Sequence, residues 1–268
     1  MKFWIKECDL DGFRCDMAHL VPLDFWKEAR TELDAMKPLF WLAETEEVNY
    51  HEVFDATYAW SLLHTMEKYW KQETGMDGID AVLYRYSDSF PSTALRALFT
   101  SNHDENSHSG SEYERMGESA RTFAVLCATW VGLPLIYSGQ ELPMMNKRLQ
   151  FFDKDLIPWT GKYELHDFYK TLLALRLNNP ALRAGDDHVR TYRLETTANA
   201  HVFAYLHKYD EREVVVILNL SSVDQLRFDI IGSVAEGVYI NVFSGMSSDF
   251  TEEKTFELNQ WEYLVFEK

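Results

Sequence analysis

The chain has 268 residues, with 43 acidic against 26 basic side chains and a formal net charge of −17. A surface this acidic repels the phosphates of nucleic acids and the headgroups of anionic lipids, so the sequence predicts neither a nucleic-acid partner nor a membrane partner. Because 46% of the residues are hydrophobic, the chain can bury a sizeable core, which excludes disorder as its main state.

The cysteines and the longest apolar stretch exclude further classes of protein. Cys8, Cys15 and Cys127 give an odd count, which argues against a disulfide scaffold, and their spacing forms no paired metal-ligand motif. The longest apolar stretch, residues 122–137, is interrupted by a glycine and a proline and is shorter than the ~20 residues that span a bilayer. The sequence therefore predicts a globular protein without a transmembrane segment.

The first 184 residues alternate short apolar runs with amphipathic stretches at helical spacing. This alternation predicts βα units around a parallel sheet. In chain order we predict a short helix at residues 2–6, a strand at 12–16, a helix at 24–36, a strand at 39–43, a helix at 60–70, a strand at 97–100, a helix at 118–130, a strand at 133–137 and a helix at 163–177.

The pattern changes after Gly185. Short β-type runs separated by turn residues replace the alternation, at residues 189–194, 202–208, 214–220, 225–230, 238–243 and 263–267. These runs predict an antiparallel β-domain over residues 185–268, appended to a first domain over residues 1–184.

Three acids, Asp16, Glu44 and Asp104, each follow a point where an apolar run turns polar. In a barrel of parallel strands, functional residues gather at the carboxyl ends of the strands. Arg14 lies two residues before Asp16, so both side chains point to one face of their strand, and a guanidinium beside a carboxylate keeps it ionised. Glu44 follows the apolar run at 40–43, a setting that favours the protonated acid.

One charged and one protonated carboxylate are what glycoside hydrolysis requires. A structural interpretation is the alternative, with Arg14 and Asp16 as an ion pair and Glu44 as a helix cap or surface acid. Residue spacing alone leaves both interpretations open, because such acids are common.

Short sequence motifs favour the glycoside hydrolase interpretation over the structural one. DGFRCD at 11–16, WLAE at 41–44 and FTSNHD at 99–104 resemble three consecutive signature regions of the family 13 glycoside hydrolases, the α-amylase family. PLIYSGQE at 134–141 resembles the eighth-strand segment of that family, and NPALR at 179–183 its approach to a β-sandwich domain. The resemblance implies an α/β fold: the C-terminal half of a (β/α)8 barrel, strands four to eight, followed by an antiparallel β-sandwich.

The resemblance also implies roles for individual residues. Asp16 matches the nucleophile that forms a covalent glycosyl-enzyme, Glu44 the general acid/base, and Asp104 the carboxylate that binds the hydroxyls of the distorted sugar. Among the substrate-binding positions, Arg14 matches the arginine beside the nucleophile and His103 the histidine at the cleaved sugar. Two further matches, His19 and Arg148, are looser, at sites for neighbouring sugars.

The sequence departs from the family in two places. Many members carry Lys-His three and four residues after the nucleophile, where His19 and Leu20 stand here, so the site for the acceptor sugar differs. The first signature region and strands one to three have no counterpart, which predicts a truncated chain that is inactive on its own. The structural calcium site of the family draws mainly on that part, so calcium is an expectation only for a full-length protein, and neither a metal ligand nor another cofactor is assigned here.

The resemblance predicts a retaining hydrolase whose partner is an α-1,4-glucan such as starch or a maltooligosaccharide. Two alternatives stay open: an α-glucan transglycosylase or α-1,6-acting relative, and a non-catalytic glucan-binding protein on the same fold. The presence of Asp16, Glu44 and Asp104 together argues against the last, because a domain that only binds glucan has no need of a nucleophile, an acid and a stabiliser.

Overall fold

The computed structural model describes residues 1–142 and 147–268, and the first part of the chain forms a five-stranded parallel sheet. Its strands are β1 (Gly12–Cys15), β2 (Phe40–Ala43), β3 (Ala56–Tyr58), β4 (Leu95–Leu98) and β5 (Leu133–Pro134). They pair in chain order, each parallel to the next. Five successive parallel strands with helical connections form part of a (β/α)8 barrel, which confirms the predicted fold class.

Helices connect and flank these strands. They are α1 (Lys2–Cys8), α2 (Leu23–Asp34), α3 (Trp60–Trp70), α4 (Met76–Asp88), α5 (Glu112–Met116), α6 (Ser119–Thr129) and α7 (His166–Asn178), with 3₁₀ turns at Ala18–Leu20, Val48–Glu52 and Pro180–Leu182 and a π-helical turn at Glu105–Ser109. Within the described residues, none of the helices has the length and apolar character needed to cross a membrane.

Two elements, β3 and α4, are not predicted from the sequence pattern. All three residues of β3 are buried, so the strand shows no alternation of polar and apolar residues, and a run this short carries little periodic signal. The first turn of α4 contains Gly78, which weakens the helical pattern. The predicted strand at 133–137 is also shortened, because only Leu133 and Pro134 pair with β4.

A glycine allows β1 and β2 to approach each other. Gly12 pairs with Phe40, and a Cβ atom at position 12 would lie 2.1 Å from the carbonyl oxygen of Phe40. Any side chain there would push β2 away from β1, and with it the two strand ends that carry Asp16 and Glu44.

The rest of the chain is an antiparallel sheet that curls on itself, as predicted for a sandwich-like domain. Its strands are β6 (Arg190–Thr196), β7 (Val202–Tyr209), β8 (Arg212–Asn219), β9 (Leu226–Ile231), β10 (Val238–Asn241), β11 (Ser247–Asp249), β12 (Thr255–Leu258) and β13 (Tyr263–Glu267). The order is β11-β10-β13-β8-β7-β6-β9-β12. The sequence analysis misses the short strands β11 and β12. The predicted boundary at 184/185 falls between the turn at Pro180–Leu182 and β6, and it stays a prediction.

The central strands β7 and β8 are buried on both faces. On β7, Phe203 and Tyr205 face the core shared with the helices of the first domain, whereas Val202, Ala204 and Leu206 face the core inside the β-domain. Successive side chains of a strand point to opposite faces, so one strand packs against both cores. The Thr129 hydroxyl of α6 lies 2.6 Å from the Tyr205 hydroxyl. The two domains therefore share one continuous apolar core.

Candidate active site

Asp16 and Glu44 emerge side by side from the carboxyl ends of β1 and β2. Cys15, the last residue of β1, pairs with Ala43, the last residue of β2. The Glu44 backbone N–H then donates to the Cys15 carbonyl oxygen at 2.9 Å, which extends the pairing past the end of β2. Neighbouring strands lie about 4.8 Å apart, so this register brings the two acids to the same edge of the sheet.

The guanidinium of Arg14 lies between the two carboxylates. Nη1 donates to Asp16 Oδ1 at 2.5 Å, and Nη2 lies 3.2 Å from Glu44 Oε1 in an ion pair. A third group, the Tyr58 hydroxyl, accepts from Nε at 3.3 Å. Partial burial opposes the charge of Arg14, but its bonds to Tyr58 and Asp16 and its attraction to Glu44 prevail and raise its pKa above the ordinary value.

Exposure differs between the two acids. The Asp16 side chain is 77% exposed and that of Glu44 only 12%. Asp16 is therefore the acid open to a ligand, as an attacking group must be, whereas Glu44 is enclosed.

Glu44 lies in a polar setting and not in the apolar one that the sequence predicts. Its Oε2 accepts a hydrogen bond from the Met17 backbone N–H at 2.6 Å, and its Oε1 faces Arg14. Met17 adopts a left-handed conformation with φ 42°, which is uncommon for a residue other than glycine. The turn after Asp16 thus aims a backbone donor at Glu44, and the carboxylate has polar contacts at both oxygens.

Glu46, which the sequence could confuse with Glu44, is already bound within the fold. Its carboxylate accepts hydrogen bonds from the Ser61 hydroxyl at 2.7 Å, from Arg85 at 2.9 Å and from the Tyr86 hydroxyl at 2.5 Å. An acid with this many donors is a structural anchor, which leaves Glu44 as the candidate acid at this strand end.

Asp104 lies beyond the end of β4, at the same edge of the sheet. His103 Nε2 is 3.4 Å from Asp104 Oδ2, and the Asn102 side chain accepts a bond from the Glu105 backbone N–H at 2.8 Å as the π-helical turn begins. Arg115 supports this segment through the Thr100 carbonyl, at 2.5 Å. In the described part of the chain, the Asp104 carboxylate contacts His103 and forms no ion pair with Arg14.

The two positions with looser family matches, His19 and Arg148, differ in their surroundings. His19 Nδ1 lies 3.5 Å from the Glu44 carbonyl oxygen, beside the two acids. Arg148 forms an ion pair with Glu114 at 3.2 Å, so its side chain is directed to a structural partner. Part of the string that suggested Arg148, residue 146, lies outside the described residues.

Sequence reasoning misses two aromatic groups at the site. Tyr58, at the end of β3, contacts Arg14 and stacks on Trp60 with ring centroids 5.5 Å apart. Phe151 stacks on His103 at 6.1 Å. Tyr58 could have been found from the sequence, because a tyrosine at the end of a short buried strand lies at the same edge of the sheet as the acids. Phe151 lies in a loop whose position no local sequence pattern predicts.

The described side chains form no metal-binding cluster at this site. In residues 1–142 and 147–268, no three His, Cys, Asp or Glu side chains converge in a way that could hold a metal ion. The calcium expected only for a full-length protein is not assigned to residues of this chain, and no chemical step below involves a metal.

Comparison with known proteins gives the following relatives. A family model of the alpha-amylase catalytic domain matches residues 1–191. Alpha-amylase MalA of Haloarcula japonica is 32% identical over 220 residues, which cover 80% of this chain and 32% of that protein. The maltogenic alpha-amylase of Bacillus acidopullulyticus is 24% identical over 285 residues, covering 99% of this chain and 46% of that protein. The chain thus spans between 32% and 46% of the length of these two curated relatives.

Solved structures agree in fold. The structure of a noncanonic maltogenic alpha-amylase, AmyB from Thermotoga neapolitana, aligns with a TM-score of 0.85 at 24% identity, covering 100% of this chain and 64% of that chain. An alpha-amylase from Geobacillus thermoleovorans, solved with acarbose, aligns with a TM-score of 0.82 at 20% identity, covering 99% of this chain and 61% of that one. At these identities the likeness establishes the fold alone.

Proposed function

The chain belongs to the family of alpha-amylase catalytic domains, and on this premise we propose that it is part of a retaining glycoside hydrolase acting on α-1,4-glucans such as starch and maltooligosaccharides. The observation that carries the proposal is the pair of carboxylates, Asp16 and Glu44, in register on adjacent strands and in contact with one guanidinium. Retaining glycosidases need two carboxyl groups about 5–5.5 Å apart, and strand ends about 4.8 Å apart are compatible with such a separation.

The proposed reaction is a double displacement. Asp16 attacks the anomeric carbon while Glu44 protonates the glycosidic oxygen, so the bond to the leaving sugar breaks and a covalent glycosyl-enzyme forms. Glu44, now a carboxylate, takes a proton from water, and the hydroxide displaces Asp16 to release the sugar with retained configuration. Because the Asp16 side chain is exposed and held by Arg14, it is suited to the role of an ionised nucleophile.

The enclosed position of Glu44 supports the acid/base role. Its bond from the Met17 backbone fixes the carboxylate against the turn that carries Asp16. When protonated, Glu44 would direct its O–H away from Arg14 and Met17, since both are donors, and so toward the substrate. Asp104 and His103, at the same edge of the sheet, are proposed to bind ring hydroxyls.

Activity is proposed to need further protein beyond these 268 residues. In the described structure β1 pairs with β2 and β5 with β4, and neither pairs on its other side, whereas each strand of a closed barrel has two neighbours. One wall of the cleft beside Asp16 is therefore open to water, which weakens the electrostatic stabilisation of the reaction. We expect the chain alone to be inactive on soluble starch.

Substitution of Asp16 tests the proposal in a full-length protein that contains this chain. Asp16→Asn should abolish turnover of maltooligosaccharides, because an amide is a poor nucleophile. Asp11→Asn is the matched control, since Asp11 is exposed and pairs with Lys37 on the surface, and it should retain activity. If Asp16→Asn keeps more than a few per cent of the activity, the nucleophile assignment is wrong.

The products of the same protein decide between hydrolysis and transfer. His19 and Leu20 replace the Lys-His pair of many relatives at the acceptor side, and His19 lies next to Glu44. Release of short maltooligosaccharides from maltoheptaose supports hydrolysis, longer products indicate a transglycosylase, and cleavage of isomaltose indicates α-1,6 action.

A further inference from the structure

A cavity of about 710 Å³ lies between the start of α6 and the loop that leads into β13. The first domain contributes Glu118 and Arg121 to its lining, and the β-domain contributes residue 241 and residues 243–244 and 260–264. We call it the interdomain cavity. None of the described residues that line it belongs to the candidate active site. Its volume lies within the range of about 300–1,000 Å³ that is typical of ligand sites, so it has room for a small organic ligand.

Three aromatic side chains, Phe243, Trp261 and Tyr263, line the interdomain cavity. Phe243 is 37% exposed, and the other two are half-buried. Trp261 adopts a left-handed conformation with φ 54°, which is uncommon for a bulky residue and is often found at functional sites. Its ring contacts that of Trp70, with centroids 5.3 Å apart, and its carbonyl oxygen accepts a hydrogen bond from the Thr122 hydroxyl. The position of Trp261 is therefore fixed by contacts with the first domain.

The polar side chains of the cavity have unused hydrogen-bonding capacity and can be reached from solvent. Glu118 and Gln260 are exposed, and neither side chain forms a hydrogen bond or an ion pair within residues 1–142 and 147–268. Arg121 is also exposed. Its guanidinium lies 5.0 Å from the ring centroid of Phe168 and 6.0 Å from that of Tyr263, and it pairs with no carboxylate among the same residues. A carboxylate, an amide and a guanidinium thus offer both acceptors and donors to a ligand.

The charges of the cavity favour a neutral ligand. Glu118 and Glu262 outnumber Arg121 in the lining, which disfavours an anion. Arg121 lies over the ring of Tyr263, so it repels a second cation from that ring. A sugar fits the remaining chemistry, because each of its hydroxyls both donates and accepts hydrogen bonds, while the C–H face of its ring can pack on an aromatic side chain.

We propose that the interdomain cavity is a second glucan-binding site, in which a maltooligosaccharide packs on Phe243 and Trp261. Its hydroxyls donate to Glu118 and accept from Arg121, and the amide of Gln260 serves in either direction. The choice of an α-1,4-glucan as the sugar rests on the proposed function, whereas the preference for a neutral sugar rests on the cavity alone.

Fluorine NMR of the 268-residue chain, with 5-fluorotryptophan at its eight tryptophan positions, tests the proposal. Trp261 reports on the interdomain cavity, and Trp60, stacked on Tyr58 at 5.5 Å, reports on the candidate active site. Trp261→Phe and Trp60→Phe assign the two signals. We expect maltoheptaose to shift the Trp261 signal saturably. Sodium benzoate and tetramethylammonium chloride, at equal ionic strength, should leave it in place.

Glu118→Ala tests the polar contacts of the cavity. It should weaken the binding of maltoheptaose at the Trp261 signal by about tenfold, because a hydrogen bond to a charged group is lost. Glu211→Ala is the matched control, since Glu211 is an exposed glutamate in the turn between β7 and β8, and it should bind like the wild type. If Trp261→Phe does not fold, isothermal titration calorimetry of these two variants provides the comparison without an assigned signal.

The outcomes separate the second site from the proposed function. A response of Trp60 alone would overturn the second site and leave the proposed function standing, and a Trp261 signal that does not respond would overturn the site in any case. Equal affinity of Glu118→Ala and the wild type would also overturn it. A response of Trp261 to benzoate or tetramethylammonium as strong as to maltoheptaose would overturn a neutral sugar as the ligand, and an equal response to cellohexaose would overturn the α-1,4-glucan. A Trp261 response that depends on Glu118 supports the second site even where the Asp16 test fails.

Discussion

Arg115 is the position where loss of one charge should destabilise the fold most clearly. Its side chain, 6% exposed, forms an ion pair with Glu67 and donates to the carbonyl oxygens of Thr100, at 2.5 Å, and Gly110, at 2.9 Å. Arg115→Met removes these three interactions and a longer ion pair with Glu105 at 3.8 Å. It leaves the Glu67 carboxylate, only 16% exposed, without its cation. Removing one partner of a buried pair costs about 3–5 kcal/mol.

Thermal unfolding measures this cost. At about 2–4 °C per kcal/mol, Arg115→Met should lower Tm by about 6–20 °C. The double variant Glu67→Met with Arg115→Met should recover part of the loss, because the unpaired Glu67 carboxylate is removed, and only the weaker loss at Glu105, 3.8 Å from Arg115, remains. Arg148→Met is the control, since the Arg148–Glu114 pair is exposed at 51% and 36% and is worth about 1 kcal/mol or less.

Two results would refute this reasoning about Arg115. One is an equal loss of Tm for Arg115→Met and Arg148→Met, which would mean that burial adds nothing to the strength of the pair. The other is a double variant less stable than Arg115→Met, which would mean that the unpaired Glu67 carboxylate is not the source of the cost.

Three further predictions concern titration, reactivity and association. Burial lowers the pKa of His207 to about 3, so between about pH 3 and 6.5 the unfolded chain binds one more proton than the folded chain. Urea unfolding should therefore show the free energy of unfolding falling on acidification by about 1.4 kcal/mol per pH unit inside that window. The absence of a slope from this group would contradict its burial. Exposed Cys8 should react with a thiol reagent under native conditions while buried Cys127 does not, as mass spectrometry would show, and equal labelling would contradict the core packing. The exposed rings of Phe3 and Trp4 on α1 should promote self-association, so sedimentation velocity should show less of it after serine substitution at both positions, and an unchanged distribution would contradict their involvement.

The placement of the acids could be predicted from sequence because it depends on short-range rules. Each of β1 and β2 is an apolar run ending directly before an acid, and parallel strands bring their carboxyl ends to one edge of the sheet. Arg14 and Asp16 share a face because they are two residues apart on one strand. Local pattern was enough to predict that Asp16 and Glu44 lie at strand ends on one edge of the sheet, and the structure adds their register.

The surroundings of these acids depend on contacts that no local pattern contains. Tyr58 reaches Arg14 across 44 residues, and Met17 reaches Glu44 across 27. The apolar run before Glu44 suggested an apolar environment, but Trp41 and Ala43 of that run are buried in the core, whereas the carboxylate lies past its end, among donors. Arg148, placed by a string alone, forms its ion pair with Glu114, in α5.

The two edges of the parallel sheet differ in a way that links folding to function. Near β5, the helices α6 and α7 pack on the β-domain and share its core. Near β1, the side chains of Phe3, Trp4 and Phe25 are 64%, 53% and 52% exposed. A contiguous exposed apolar patch marks an interaction site, and the helices α1 and α2 that carry these rings directly precede and follow β1 and its turn in the chain. If a protein segment that covers this surface also pairs with the free edge of β1, then completing the barrel and closing the proposed cleft beside Asp16 would be a single structural event.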